Sequence, residues 1–165
     1  MRPPSRAPDL DRQALLDLVG ENYPLVARNL LKPLLELFSV SREACGGDID
    51  KFLIMLVVAI RTTEHPLFST YSQAQLLSGE IPVFPSLGTN VRSVADSVGA
   101  PRETIRRKVG ELVEAGWIAR DNGELRFTAL AYQQLAGARL AIEHLAVRNF
   151  EVVRSLVRRH AAGSV

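Results

Sequence analysis

The sequence predicts a mainly α-helical protein in which a helix-turn-helix followed by a hairpin sits between an N-terminal helical region and a long C-terminal helix. Three observations predict it. Apolar residues recur at spacings of three and four over most of the chain, the period of a helix with one buried face. Cap residues and glycines mark where those helices start and stop. One strong hairpin turn, Asp121-Asn122-Gly123, lies between two short alternating segments. The expected division is residues 1–85 as the N-terminal region, with 1–9 a disordered lead-in, then 86–128, then 129–165.

Residues 1–9 are rich in Pro and Arg. Asp9 is placed to cap a first helix from Leu10 to Val19, which Gly20 ends. A second helix runs from Pro24 to about Arg42, with Leu25, Leu30, Leu31, Leu34, Leu35 and Phe38 giving it a broad apolar face. Pro33 falls inside it and predicts a kink or break, because proline has no N–H to donate. Asp48 caps a third helix from Ile49 to about Glu64. Its stretch Phe52–Ile60 is apolar all round, and a helix without a polar face is buried on every side. A partner subunit is the expected cover. A short helix follows at Tyr71–Leu77, stopped by Gly79, and Ile81-Pro-Val-Phe-Pro85 is an extended connector.

Thr89 or Asn90 caps the next helix, Val91–Val98. Gly99-Ala100-Pro101 makes a tight turn, since glycine takes positive φ freely and proline suits a first helical position. The following helix, Arg102 to Ala115, carries Ile105, Val109 and Leu112 as one narrow stripe, and Gly116 fits its end. Trp117–Arg120 and Glu124–Thr128 flank the hairpin turn. Helix, turn, helix, hairpin is the order of a winged helix. The stretch SVADSVGAPRETIRRKVGELVEAGWIARDNGELRFT resembles bacterial winged helix-turn-helix transcription regulators of the broad MarR and GntR kind. The resemblance implies sequence-specific binding of operator DNA by a dimer.

The residues themselves point the same way. Burying Ile105, Val109 and Leu112 turns Glu103, Arg107, Gly110 and Glu114 outward, with Thr104, Arg106 and Glu111 on the flanks. Arginine's planar fork suits guanine edges and phosphates. The candidate DNA contacts are therefore Arg102, Glu103, Thr104, Arg106, Arg107 and Lys108 on the helix at about 102–115, with Arg120 and Arg126 on the wing. Gly110 removes a side chain where backbone can approach a phosphate. The competing reading is a winged-helix protein-interaction module without DNA binding. It rests on the near balance of charge in 102–126, six cations against five anions.

Thr128 caps a long helix from Ala129 to about Arg159. Leu135, Ala138, Ile142, Leu145, Asn149, Val152 and Leu156 form a heptad seam, with Asn149 at an inner position. That seam reads either as a homodimerisation helix or as packing against Pro24–Ile60, and both can hold together. Phe38, Phe52, Met55 and Leu56 are a candidate pocket for a small hydrophobic effector. The close-packed core is the competing account of the same four residues.

Composition limits the remaining classes. The 165 residues are 47% hydrophobic and 23% charged, the balance of a folding chain. A net charge of +2 is too small to indicate nucleic-acid binding by itself. Cys45 is the lone cysteine, so no internal disulfide framework or Cys-based zinc site is expected; before Gly46-Gly47 it reads as exposed. His65, His144 and His160 are isolated, no nucleophile or phosphate-loop motif occurs, and neither an enzyme nor a cofactor is expected. The apolar run Phe52–Ile60 is far short of the roughly 20 residues a membrane helix needs, and Met1–Pro8 lacks the apolar stretch of a signal peptide. A cytoplasmic location without membrane partners is the expectation.

Overall fold

The computed structural model describes residues 11–163. Among these the chain forms eight α-helices and one two-stranded antiparallel sheet. The order is α1 (Arg12–Glu21), α2 (Tyr23–Ala44), α3 (Ile49–Thr63), α4 (Gln73–Ser78), α5 (Val91–Val98), α6 (Arg102–Glu114), β1 (Ile118–Asp121), β2 (Glu124–Phe127), α7 (Ala129–Gln134) and α8 (Ala136–Gly163). Two compact units emerge, one of residues 11–39 and 139–163, the other of Val40–Ala138.

Side-chain caps explain most of the helix starts. Asp11 accepts from the Ala14 N–H at 2.8 Å and begins α1; the expected cap, Asp9, lies outside the described residues. Asp48 accepts from the N–H groups of Asp50 and Lys51 at the start of α3. Asn90, rather than Thr89, caps α5 by accepting from Ser93 N–H at 3.0 Å. Ser72 and Gln75 form a capping box on α4, and Gly79 ends that helix in the left-handed conformation. α2 runs continuously through Pro33, whose ring is buried. The Asn29 carbonyl accordingly lacks a helical donor.

The second unit is organised around α3. Phe52, Ile54, Met55 and Val58 are buried, and α3 packs against α5, α6 and β2. The expectation that a partner subunit must cover Phe52–Ile60 is therefore corrected: neighbours within this unit cover it, and only Ile60 remains broadly exposed, at 53%. Val94 and Ala95 of α5, Ile105, Val109 and Leu112 of α6, and Ile118, Leu125 and Phe127 of the hairpin complete the core. This unit contains residues 86–128 together with α3, α4 and α7.

The 81–85 connector does more than link. Phe84 N–H donates to the Phe127 carbonyl at 3.0 Å, Leu125 N–H to the Thr89 carbonyl at 2.8 Å, and Ala129 N–H to the Pro82 carbonyl at 3.0 Å. Val83 also bridges Thr128 in antiparallel sense, so the 82–89 stretch seals the β2 edge that β1 leaves open. Fully buried Phe84 stacks on Phe127 with centroids 6.2 Å apart and meets Phe68 and Tyr132 edge-on at 5.8 and 5.7 Å.

The long helix expected from Ala129 to Arg159 is broken. α7 ends at Leu135, whose N–H reaches back to the carbonyls of Ala131 and Gln133, and α8 starts at Ala136. The break lets α7 pack on α4, where Tyr132 Oη donates to Gln73 Oε1 at 2.7 Å and Gln133 Nε2 to the Leu77 carbonyl at 2.8 Å. In the first unit, Leu156 of α8 is buried with Leu18 of α1 and Val26 of α2, flanked by Val19, Leu30, Val152 and Val157.

Phe84→Ala is expected to destabilise the protein by roughly 3–5 kcal/mol, the cost of emptying a fully packed aromatic site. Urea denaturation followed by Trp117 fluorescence measures it. A loss under about 1 kcal/mol would mean that Phe84 does not hold the connector to β2.

Candidate nucleic-acid interface

α5 and α6 are joined by a turn that only its local sequence permits. Gly99 sits at φ 71°, in the left-handed region, and its N–H and that of Ala100 both return to the Ala95 carbonyl. Pro101, at φ −56°, leads directly into α6. α6 then buries Ile105, Val109 and Leu112 against the core. Glu103, Arg106, Arg107 and Glu114 are left exposed and Thr104 half-buried. A Cβ built at Gly110 would meet nothing within 4 Å, so this stretch of α6 backbone borders open space.

The hairpin turn has two successive residues of positive φ, Asn122 at 48° and Gly123 at 84°, the signature of a type I′ turn. It brings Ile118 opposite Phe127 and Arg120 opposite Leu125. Arg120 is exposed, with no ion-pair partner among the described residues. Arg126 lies 3.3 Å from Glu124 and 3.6 Å from Asp121, and its Nε is buried without a hydrogen-bond partner.

The electrostatics of α6 differ from a simple row of free cations. Arg106 grips Glu103 of its own helix through two hydrogen bonds, at 2.5 and 2.8 Å. Arg107 holds Glu111 at 2.5 Å. Both pairs meet solvent, a setting in which water and salt screen an ion pair and it contributes little. Arg102 is exposed without an ion-pair partner among the described residues, and so is Arg92 in the first turn of α5. Sequence reasoning passed over Arg92. Its signal was a cation two residues past a cap asparagine, at the start of the helix before the turn.

Lys108 departs from the expectation that it contacts DNA. It is 8% exposed, and its ammonium donates to both carboxylate oxygens of Asp48, at 2.6 and 2.7 Å, and to Asp50 at 2.8 Å. Three residues on, Glu111 accepts from Lys51 of α3 at 2.7 Å. Two links of opposite polarity thus tie the first turn of α3 to the middle of α6. They fix the roll of α6 and so decide which side chains face solvent. By sequence Lys108 is a candidate contact because it lies with Arg102, Arg106 and Arg107 in the N-terminal half of the helix. The deciding partners, Asp48 and Asp50, lie about sixty residues away.

These contacts set the titration of the groups. Burial alone would raise the Asp48 carboxyl, but the Lys108 hydrogen bond and charge, with the backbone N–H groups of Lys51 and Asp50, outweigh it and hold it below its ordinary value. Burial would likewise lower Lys108, and the hydrogen bonds to Asp48 and Asp50 instead raise it. The Lys51 hydrogen bond, aided by Arg107, lowers Glu111. Cys45 is buried rather than exposed as expected, and burial, with the Asp48 charge adding to it, pushes its thiol up to about 11. At neutral pH it is a protonated, unreactive thiol.

The residues expected to line an effector pocket fall in both units. Phe52 and Met55, 3% and 1% exposed, are close-packed core of the second unit. Leu56 on α3 is half-buried, and Phe38, 42% exposed, belongs to α2 of the first unit. Among the described residues no helix is long and apolar enough to cross a membrane. Comparison with protein-family models, curated proteins and solved structures finds no match for this chain.

Lys108→Met is expected to cost about 2 kcal/mol, because it leaves two partly buried carboxylates without their donor. Asp48 has a lowered folded-state pKa, so the pair's stabilisation is complete at neutral pH and is lost as pH falls through and below about 4. Lys108, with a raised pKa, keeps its share until pH exceeds the ordinary lysine range. Chemical denaturation from about pH 7 down to about pH 3 checks both statements: the wild type loses stability toward acid, and the variant shows a flatter profile. Parallel profiles would show that the ion pair does not position α6.

Proposed function

We propose that this protein is a DNA-binding transcription regulator of the winged helix-turn-helix type, acting as a homodimer on a near-palindromic operator with α6 in the major groove. The observation that carries the reading is the face of α6 that its own chain leaves uncovered. Arg102, Glu103, Arg106 and Arg107 are all exposed there, while Ile105, Val109 and Leu112 anchor the opposite side. A helix offered in this way from a tight turn, with a hairpin following it, has the geometry of a groove-reading helix and its wing. Arg92, Arg102 and Arg120 supply exposed charge for phosphates. Arg106 and Arg107 exchange a weak pairing with Glu103 or Glu111 for a base edge or phosphate, a trade that costs little at an exposed site. Lys108 has no part in this set, since it is committed to Asp48 and Asp50. Two such units related by a two-fold axis would read half-sites about one helical turn apart, or a multiple of that.

A second reading is a protein-interaction module built on the same unit. It is favoured by the local neutralisation of Arg106, Arg107 and Arg126 by Glu103, Glu111, Asp121 and Glu124. Salt separates the two. DNA binding through phosphates gives a linear fall of log affinity with log salt, and a protein partner does not impose that slope.

Two outcomes are expected. Arg106→Ala combined with Arg107→Ala weakens binding to operator duplex selected from a random pool, by about 1–3 kcal/mol for each base edge the arginines no longer reach. Fluorescence anisotropy at two salt concentrations measures it. Unchanged affinity would remove α6 from the groove. Gly110→Ala raises stability by about 0.5–1 kcal/mol, since the added methyl meets open space in a helix interior. The same variant lowers duplex affinity if backbone approaches phosphate there, so stability and affinity should move in opposite directions.

A further inference from the structure

We propose that two copies of this chain associate through the solvent-facing stripe of α2, crossing antiparallel on a two-fold axis so that Leu31 meets the partner's Leu34 and Ala27 meets the partner's Phe38. The inference deepens the homodimer reading above and names the surface it uses.

Three positions of the heptad seam expected to dimerise, Leu135, Ala138 and Leu156, are buried within the chain at 8%, 2% and 3% exposure, while Leu145, Asn149 and Val152 are half-buried and Ile142 is 40% exposed. α2 carries two apolar faces. Val26 and Pro33 are buried and Leu30 and Leu37 half-buried on the inner face. On the other, Leu31, Leu34, Leu35 and Phe38 are 52%, 39%, 67% and 42% exposed, and no charged residue falls among Ala27, Leu31, Leu34 and Phe38. The flanking Lys32 and Glu36 pair with each other at 4.0 Å, and Arg148 reaches Glu36 at 3.7 Å.

The occupant follows from the spacing. Ala27, Leu31, Leu34 and Phe38 are separated by four, three and four residues, which reads the same in both directions. A two-fold axis places an identical stripe antiparallel to itself, and an isologous interface must be self-complementary. Here it is: the small Ala27 receives the large Phe38 at each end, and leucine meets leucine on either side of the axis. The area agrees as well. The exposed fractions of Leu31, Leu34, Leu35 and Phe38 on this side of the helix amount to about two whole side chains, on the order of 300–400 Å² of apolar surface. That is most of the non-polar share of the roughly 800 Å² per partner that a stable interface buries.

Sedimentation velocity of the full chain at micromolar concentration, without DNA, tests it. The wild type is expected at twice 18.2 kDa. Leu31→Glu combined with Leu34→Glu is expected to weaken self-association by roughly a hundredfold or more and to give a monomer. Its circular dichroism should match the wild type, because both side chains are partly exposed in the single chain, and its melting should fall only to that of a folded monomer. Should that variant misfold, cross-linking replaces it. Ala27→Cys with Phe38→Cys forms a disulfide-linked dimer under mild oxidation, whereas exposed Gln13→Cys on α1 does not. Cys45, buried and protonated, does not compete. A wild-type monomer, a dimer that survives the glutamates in a folded variant, or equal cross-linking at Gln13 would overturn the proposal. Because no DNA is present, a dimer dissolved by the glutamates stands even if duplex binding fails, and a monomer that binds duplex fails it alone.

Discussion

α3 has no polar face to give to water between Phe52 and Val58, and that constraint organises the second unit. An apolar cylinder in a chain of this size must be covered on all sides, or the exposed area would cost more than the marginal stability of a domain. α5, α6 and β2 supply the cover. Each contributes its own apolar stripe, and each is thereby forced to show its other side to solvent. The outward face of α6 is in that sense a by-product of burying α3.

Hydrophobic burial does not fix the roll of a helix closely, because a stripe tolerates some rotation. The ion pairs supply the missing specification. Lys108 reaches Asp48 and Asp50, and Glu111 reaches Lys51, and these three partners lie in or beside the first turn of α3. Asp48 does two jobs, capping α3 through backbone N–H groups and accepting from Lys108. Start of one helix and orientation of another are thus coupled through one carboxylate. Since the ammonium of Lys108 is mostly buried and well hydrogen-bonded, its pairs select one arrangement of α6 as well as stabilising it.

The contrast with Arg106 and Arg107 is instructive. Their partners Glu103 and Glu111 sit three and four residues away on the same helix, and water competes for both arginines. Such pairs neutralise the charge of Arg106 and Arg107 locally while remaining easy to open, in keeping with a whole-chain charge of only +2.

Local chemistry was legible from the residues alone. Asp48, Asn90 and Thr128 announced helix starts, Gly99 and Gly79 announced helix ends, and Asn122-Gly123 announced the hairpin, because a cap or a positive-φ turn depends on residues within three or four positions. The α6 stripe of Ile105, Val109 and Leu112 followed from periodicity for the same reason. What tertiary structure alone decided depends on partners distant in sequence. The cover of α3 by its own unit, the capture of Lys108 by Asp48 and Asp50, the pairing of 82–89 with β2 and the packing of α7 on α4 all arise from such contacts. No window of sequence contains both halves of such an interaction. A cation beside other cations reads as surface until the fold brings two carboxylates to it, and an apolar helix reads as an interface until three neighbours close over it.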